Sequence, residues 1–127
     1  MENQMAHALN WFEIPVKDFN KAKKFFETIL NVEMQTMEAM GMKSAFFPAD
    51  FQNGEIGGCI IRGKGYEPSS SGTVIYLNAG EDLNIVLNKV ETAGGKVMLP
   101  KTSIGENGFM AYFTDSEGNK IGLHSRK

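Results

Sequence analysis

The feature that most constrains this chain is that its second half repeats its first. Shifted by 64 positions, Phe19-Asn20-Lys21-Ala22 through Phe26-Glu27-Thr28 overlies Leu83-Asn84-Ile85-Val86 through Val90-Glu91-Thr92, matching Asn, Glu and Thr and keeping apolar residues in register. Shifted by 66, Ala45-Phe46-Phe47 overlies Ala111-Tyr112-Phe113. At 64 again, Gly54 overlies Gly118 and Gly58 overlies Gly122. Three blocks in one order, drifting by two residues, indicate a duplicated unit with short loop insertions.

Each copy reads as strand, helix and three strands, an α+β plan of two tandem βαβββ modules. Residues 10–16 are aromatic and β-branched, and Asp18 is placed to cap a helix. Phe19, Ala22, Phe25, Phe26, Ile29 and Leu30 then recur near 3.6 residues, with Lys21, Lys23, Lys24 and Glu27 opposite them. That amphipathic helix predicts a sheet beneath it. Further strands are expected over 33–38, 43–47 and 56–62. The second copy predicts a strand over 73–79, a helix from about 82 to 93 closed by Gly94-Gly95, and strands over 96–99, 109–114 and 120–125. The segment from Gly63 to Gly72 has the composition of a linker but is too short to separate independent domains. The whole of 1–127 is therefore expected as one domain, with modules at about 8–62 and 73–125. A module of ~60 residues buries too little surface to be stable alone, so the two must share a core or pair across a dimer.

Composition narrows the partners. A hydrophobic fraction of 42% with 22% charged residues fits a globular chain, and a net charge of −2 with no basic stripe argues against nucleic acid. The polar start Met1-Glu2-Asn3-Gln4-Met5 and the lack of ~18 consecutive apolar residues predict neither signal peptide nor membrane helix, hence a cytoplasmic location. Cys59 is the only cysteine, which excludes an internal disulfide and a thiolate zinc site, and its apolar strand predicts a buried, inert thiol. His7 reads as a solvated end residue, leaving His124 as the one imidazole inside an element. Gly105-Glu106-Asn107-Gly108 and Ser116-Glu117-Gly118-Asn119 read as turns, with no helix following to cradle a phosphate.

The doubled unit, with Asn10-Trp11-Phe12-Glu13-Ile14-Pro15-Val16-Lys17-Asp18 at its start and Ala111-Tyr112-Phe113-Thr114-Asp115-Ser116-Glu117-Gly118-Asn119-Lys120-Ile121-Gly122-Leu123-His124-Ser125 at its end, resembles the vicinal oxygen chelate superfamily. That group contains glyoxalases, bleomycin-resistance proteins, fosfomycin-resistance enzymes and extradiol dioxygenases. The resemblance implies half-open barrel sheets with helices outside, a cavity on each concave face, and a homodimer. It also implies that metal-dependent members place a ligand, usually His or Glu, on the first and last strand of each module. Counting along the strands puts those positions at Trp11, Gly58, Val74 and Gly122, none of which can coordinate a cation. No cofactor is therefore expected.

Alternation with period two places Glu13, Ile60, Tyr76 and His124 on the same face as those four positions. Glu13 and His124 are the candidate catalytic residues, as acid and base or as two ligands of an altered metal site. Trp11, Met42, Phe46, Ile60, Tyr76, Met110 and Tyr112 are the expected cavity lining. The resulting expectation is a protein that binds a small, partly apolar or aromatic molecule without the usual metal tetrad. The alternative is a divalent-metal lyase, isomerase or dioxygenase using Glu13 and His124.

Overall fold

The computed structural model describes residues 7–127. The first module runs β1 (Trp11–Pro15), α1 (Phe19–Leu30), β2 (Gln35–Ala39), β3 (Met42–Phe46) and β4 (Gly57–Arg62). The second runs β5 (Tyr76–Asn78), α2 (Asn84–Leu87), α3 (Val90–Ala93), β6 (Lys96–Ser103), β7 (Phe109–Thr114) and β8 (Lys120–Ser125). Each module forms one open four-stranded mixed sheet, ordered β1-β4-β3-β2 and β5-β8-β7-β6. In both, the first strand runs parallel to the last, and the other neighbours are antiparallel. The duplication read in the sequence is thus a duplication of topology.

Local chemistry starts and stops α1 where the sequence predicts. Asp18 Oδ1 accepts from the Lys21 amide at 3.1 Å, and Asn31 in the left-handed region closes the far end. Phe19, Ala22, Phe25, Phe26 and Ile29 are all buried. They meet Ile14, Ala45 and Ile60 of the first sheet and Leu83, Phe113 and Leu123 of the second module in one hydrophobic core. Neither module keeps a core of its own. The turn between β7 and β8 supplies a polar clamp between them. Glu117 Oε1 accepts from the amides of Lys17 and Asp18 at 2.6 and 2.8 Å, and Asn119 Nδ2 donates to the Pro15 carbonyl at 2.8 Å.

Three elements differ from expectation. The helix over 82–93 is two short helices, because the Lys89 amide reaches back only three residues, to the Val86 carbonyl, and tightens the ribbon there. The strand over 73–79 shrinks to β5. The strand over 96–99 extends to Ser103 through Pro100, which an edge strand with two register shifts accommodates.

Candidate functional site

The faces of the two sheets that turn away from the shared core collect the candidate residues. In the first module, strand pairing sets Glu13 beside Cys59, and Cys59 beside Phe46. Trp11 stacks at 5.8 Å on Phe46 and at 6.1 Å on Phe51, making an aromatic patch with Trp11 39% exposed. Met42 shares the parity of Ser44 and Phe46 on β3. Glu13 does not stand unpaired: the Tyr66 hydroxyl, from the connecting segment, donates to its Oε1 at 2.9 Å. That bond raises the Tyr66 pKa. Cys59 is buried at 2% exposure, and burial, with the Glu13 charge second, pushes its thiol up to about 11.

In the second module, Tyr76 pairs with Gly122, and Met110 and Tyr112 flank β8 at His124 and Gly122. The Tyr76 and Tyr112 hydroxyls lie 2.7 Å apart, and that hydrogen bond raises the Tyr76 pKa to about 12. A Cβ on Gly122 would come within 2.6 Å of the Tyr76 ring. The ring therefore occupies the space that a side chain at position 122 would enter. His124 Nε2 lies 2.6 Å from the Asn107 carbonyl oxygen. A cavity of about 820 Å³ opens beside these groups, walled by Tyr76, Met110, His124, Arg126 and the turn that carries Ile104 to Gly108.

Two placements correct the sequence reading. Ile60, expected in the cavity lining, faces the helix and is fully buried in the core with Ile14. Gly58 lies on the same side, where a Cβ would strike Phe12. The structural counterpart of Gly122 is Cys59, since Cys59 pairs with Glu13 and Phe46 as Gly122 pairs with Tyr76 and Tyr112. The parallel bonds from the Val16 amide to Ile61 O and from the Ala79 amide to His124 O agree, both at an offset of 63. Matching glycine to glycine slipped the strand by one residue, which reverses its face. Glu13 and His124 belong to different sheets, and among the described residues the cavity between His124, Met110 and Ile104 has no lining residue from the first module. Tyr66 and Arg126 were not singled out in the sequence, since each lies outside any strand and alternation assigns no face to such positions.

The family model of the Glyoxalase/Bleomycin resistance protein/Dioxygenase superfamily matches residues 8–123. The chain belongs to that superfamily. Among curated proteins, it is 29% identical over 116 residues to the Mycobacterium tuberculosis protein named "Putative glyoxylase CFP32", a match covering 90% of this chain. It spans 44% of that relative's length. Its fold is similar to the fosfomycin resistance protein FosX from Listeria monocytogenes, with a TM-score of 0.63 and 17% identity over 98% of this chain and 94% of that one. It is likewise similar to a glyoxylase/bleomycin resistance protein/dioxygenase domain from Frankia sp. EAN1pec, with a TM-score of 0.70 and 12% identity over 98% and 94% of the two chains.

Within this superfamily, metal-dependent members would draw ligands from the first and last strands of each module. Here the corresponding side chains are an indole at Trp11, an isopropyl at Val74, no side chain at Gly122 and, by the corrected register, a thiol at Cys59. A thiol held protonated to about pH 11 is a poor ligand. Among the described residues, no three His, Cys, Asp or Glu side chains gather at one point. This donor set does not fit a divalent cation.

Proposed function

We propose that this superfamily member binds a small, partly apolar or aromatic molecule on the outer face of its second module, without the metal tetrad, and does so as a homodimer. The observation that carries the reading is the Tyr76 ring lying over Gly122: an aromatic surface stands where a metal-dependent relative would present a carboxylate. The adjoining cavity, about 820 Å³, is in the size range of small-molecule sites and joins apolar walls at Ile104 and Met110 to a few polar groups. The alternative of a metal-dependent lyase, isomerase or dioxygenase relies on Glu13 and His124 acting together, and one chain keeps them on separate sheets.

The test is a melting-temperature screen against aromatic ligands, run beside elemental analysis after exposure to nickel, zinc or manganese. A ligand at 100 times its dissociation constant adds ~2.7 kcal/mol of apparent stability, and Tyr76→Ala is expected to abolish that shift. Stoichiometric metal that is lost in His124→Ala would overturn the proposal in favour of a metalloenzyme.

A further inference from the structure

The polar groups of the second-module cavity are specific enough to name a ligand class. A carbonyl oxygen can only accept, so the 2.6 Å contact between Asn107 O and His124 Nε2 requires the proton to sit on Nε2. In the neutral imidazole, Nδ1 is then a lone-pair acceptor. Among the described residues it has no hydrogen-bond partner.

The contact is built by the backbone. Gly108 adopts φ 104 and ψ −129, a conformation reserved for glycine, and a Cβ there would collide with the Ser125 carbonyl oxygen. The turn can therefore lie directly against the end of β8, closed by the Ile104 amide bonded to Gly108 O at 2.8 Å. With any other residue at 108 the turn would have to lift, taking the Asn107 carbonyl with it.

The same cavity is walled by Arg126, a permanent cation, and by Glu106, an anionic acceptor suited to a ligand's donor and not to its carboxylate, with Ile104, Met110 and the Tyr76 ring as apolar surface. We infer that the cavity recognises carboxylic acids that carry a hydrogen-bond donor beside the carboxylate and an apolar or aromatic body, with Arg126 taking the charge and Nδ1 of His124 taking the donor. His124 is the residue that distinguishes a hydroxy acid from its plain counterpart, and Gly108 is a positioning residue acting through Asn107. This assignment rests on the proposed binding function and fixes its substrate class.

The test uses three probes on the intact chain: phenyllactate, phenylpropanoate, which lacks the hydroxyl, and phenyllactamide, which lacks the charge. Phenyllactate is expected to bind about tenfold more tightly than either, as loss of one charged or buried hydrogen bond implies. Arg126→Gln should remove the preference over the amide. His124→Phe should remove the preference over phenylpropanoate, read as the ratio of the two affinities in the variant against that ratio in the unaltered protein. Nitrogen-15 spectra of the histidine ring are expected to show the Nε2-protonated tautomer in the free protein and a shift at Nδ1 with phenyllactate. Gly108→Ala should lose that tautomer bias. Equal binding of acid and amide, a preference for the hydroxyl surviving His124→Phe, or an Nδ1-protonated ring at rest would each overturn the inference. Failure of all three probes while other aromatic ligands still raise the melting temperature would overturn this assignment and leave the binding function standing. Stoichiometric metal would instead overturn the binding function.

Discussion

Tyr76 lies across β8 because position 122 has no side chain, and the size of that dependence can be read from exposure. Tyr76 is 48% exposed, so a methyl at 122 would push the ring outward rather than strain the backbone. Gly122→Ala is therefore expected to cost only about 1 kcal/mol, at the low end for overpacking. It should also break the 2.7 Å bond to Tyr112 and bring the Tyr76 pKa down from about 12 toward the ordinary tyrosine value. Tyrosinate absorbance followed through alkaline pH checks this, and an unchanged titration would mean the ring does not rest on Gly122. Cys59 gives a second prediction, with the sign set by its raised pKa. The buried thiol contributes stability that is present below the ordinary value of 9.0 and lost as pH rises through about 11. Native protein should thus weaken more steeply than Cys59→Ala between pH 9 and 11, by up to about 3 kcal/mol, as the two-unit shift implies. Urea midpoints for both proteins across that interval provide the measurement.

Among the elements, the turn between β7 and β8 carries more than its surface position suggests. Asn119 is 6% exposed and its side chain makes three bonds: to Pro15 O, to Asp115 Oδ2 and from the Ser69 amide. Removing it strands the Pro15 carbonyl and Oδ2 of Asp115, a carboxyl whose pKa burial already raises, while Oδ1 keeps the amides of Glu117 and Asn119. Asn119→Ala is expected to cost about 2–4 kcal/mol in urea unfolding. Lys17→Ala, which loses only an exposed ion pair with Glu67 at 3.0 Å, should stay within about 0.5 kcal/mol. The composition of that turn showed that the chain bends there, yet the Asn119 contact to Pro15 spans 104 residues, which no local pattern encodes. The same division runs through the rest of the fold. Helix α1 was legible because its caps and apolar spacing are local, whereas the tightened turn after α2 and the register shifts of β6 carry no comparable mark in the residue pattern. Alternation along β1, β5 and β8 placed Glu13, Tyr76 and His124 on the faces turned away from the core, in two separate sheets. It failed on β4, where an apolar run from Gly57 to Ile61 offers no alternation and only pairing with β1 reveals which side is buried.

At the scale of the molecule, the shared core leaves the outer faces of both sheets open. Helix α1 joins the modules through the core they share, and Trp11, Phe51 and Tyr76, which lie outside that core, are 39%, 58% and 48% exposed. All five residues of the edge strand β2 are also exposed. Open edges and apolar faces of this kind favour pairing with a second copy, which removes both at once. A stable pair needs ~800 Å² per partner, about a tenth of the 7983 Å² surface of one chain, and the first-module aromatic patch with its neighbouring strand is a natural contributor. Light scattering is expected to give twice the mass of a single chain. Trp11→Glu, which sets a charge in the centre of the patch without touching the core beneath α1, should shift the mass to that of one chain while circular dichroism stays unchanged. A single-chain mass for the unaltered protein would end the homodimer, and a dimer indifferent to Trp11→Glu would move its contact to another face.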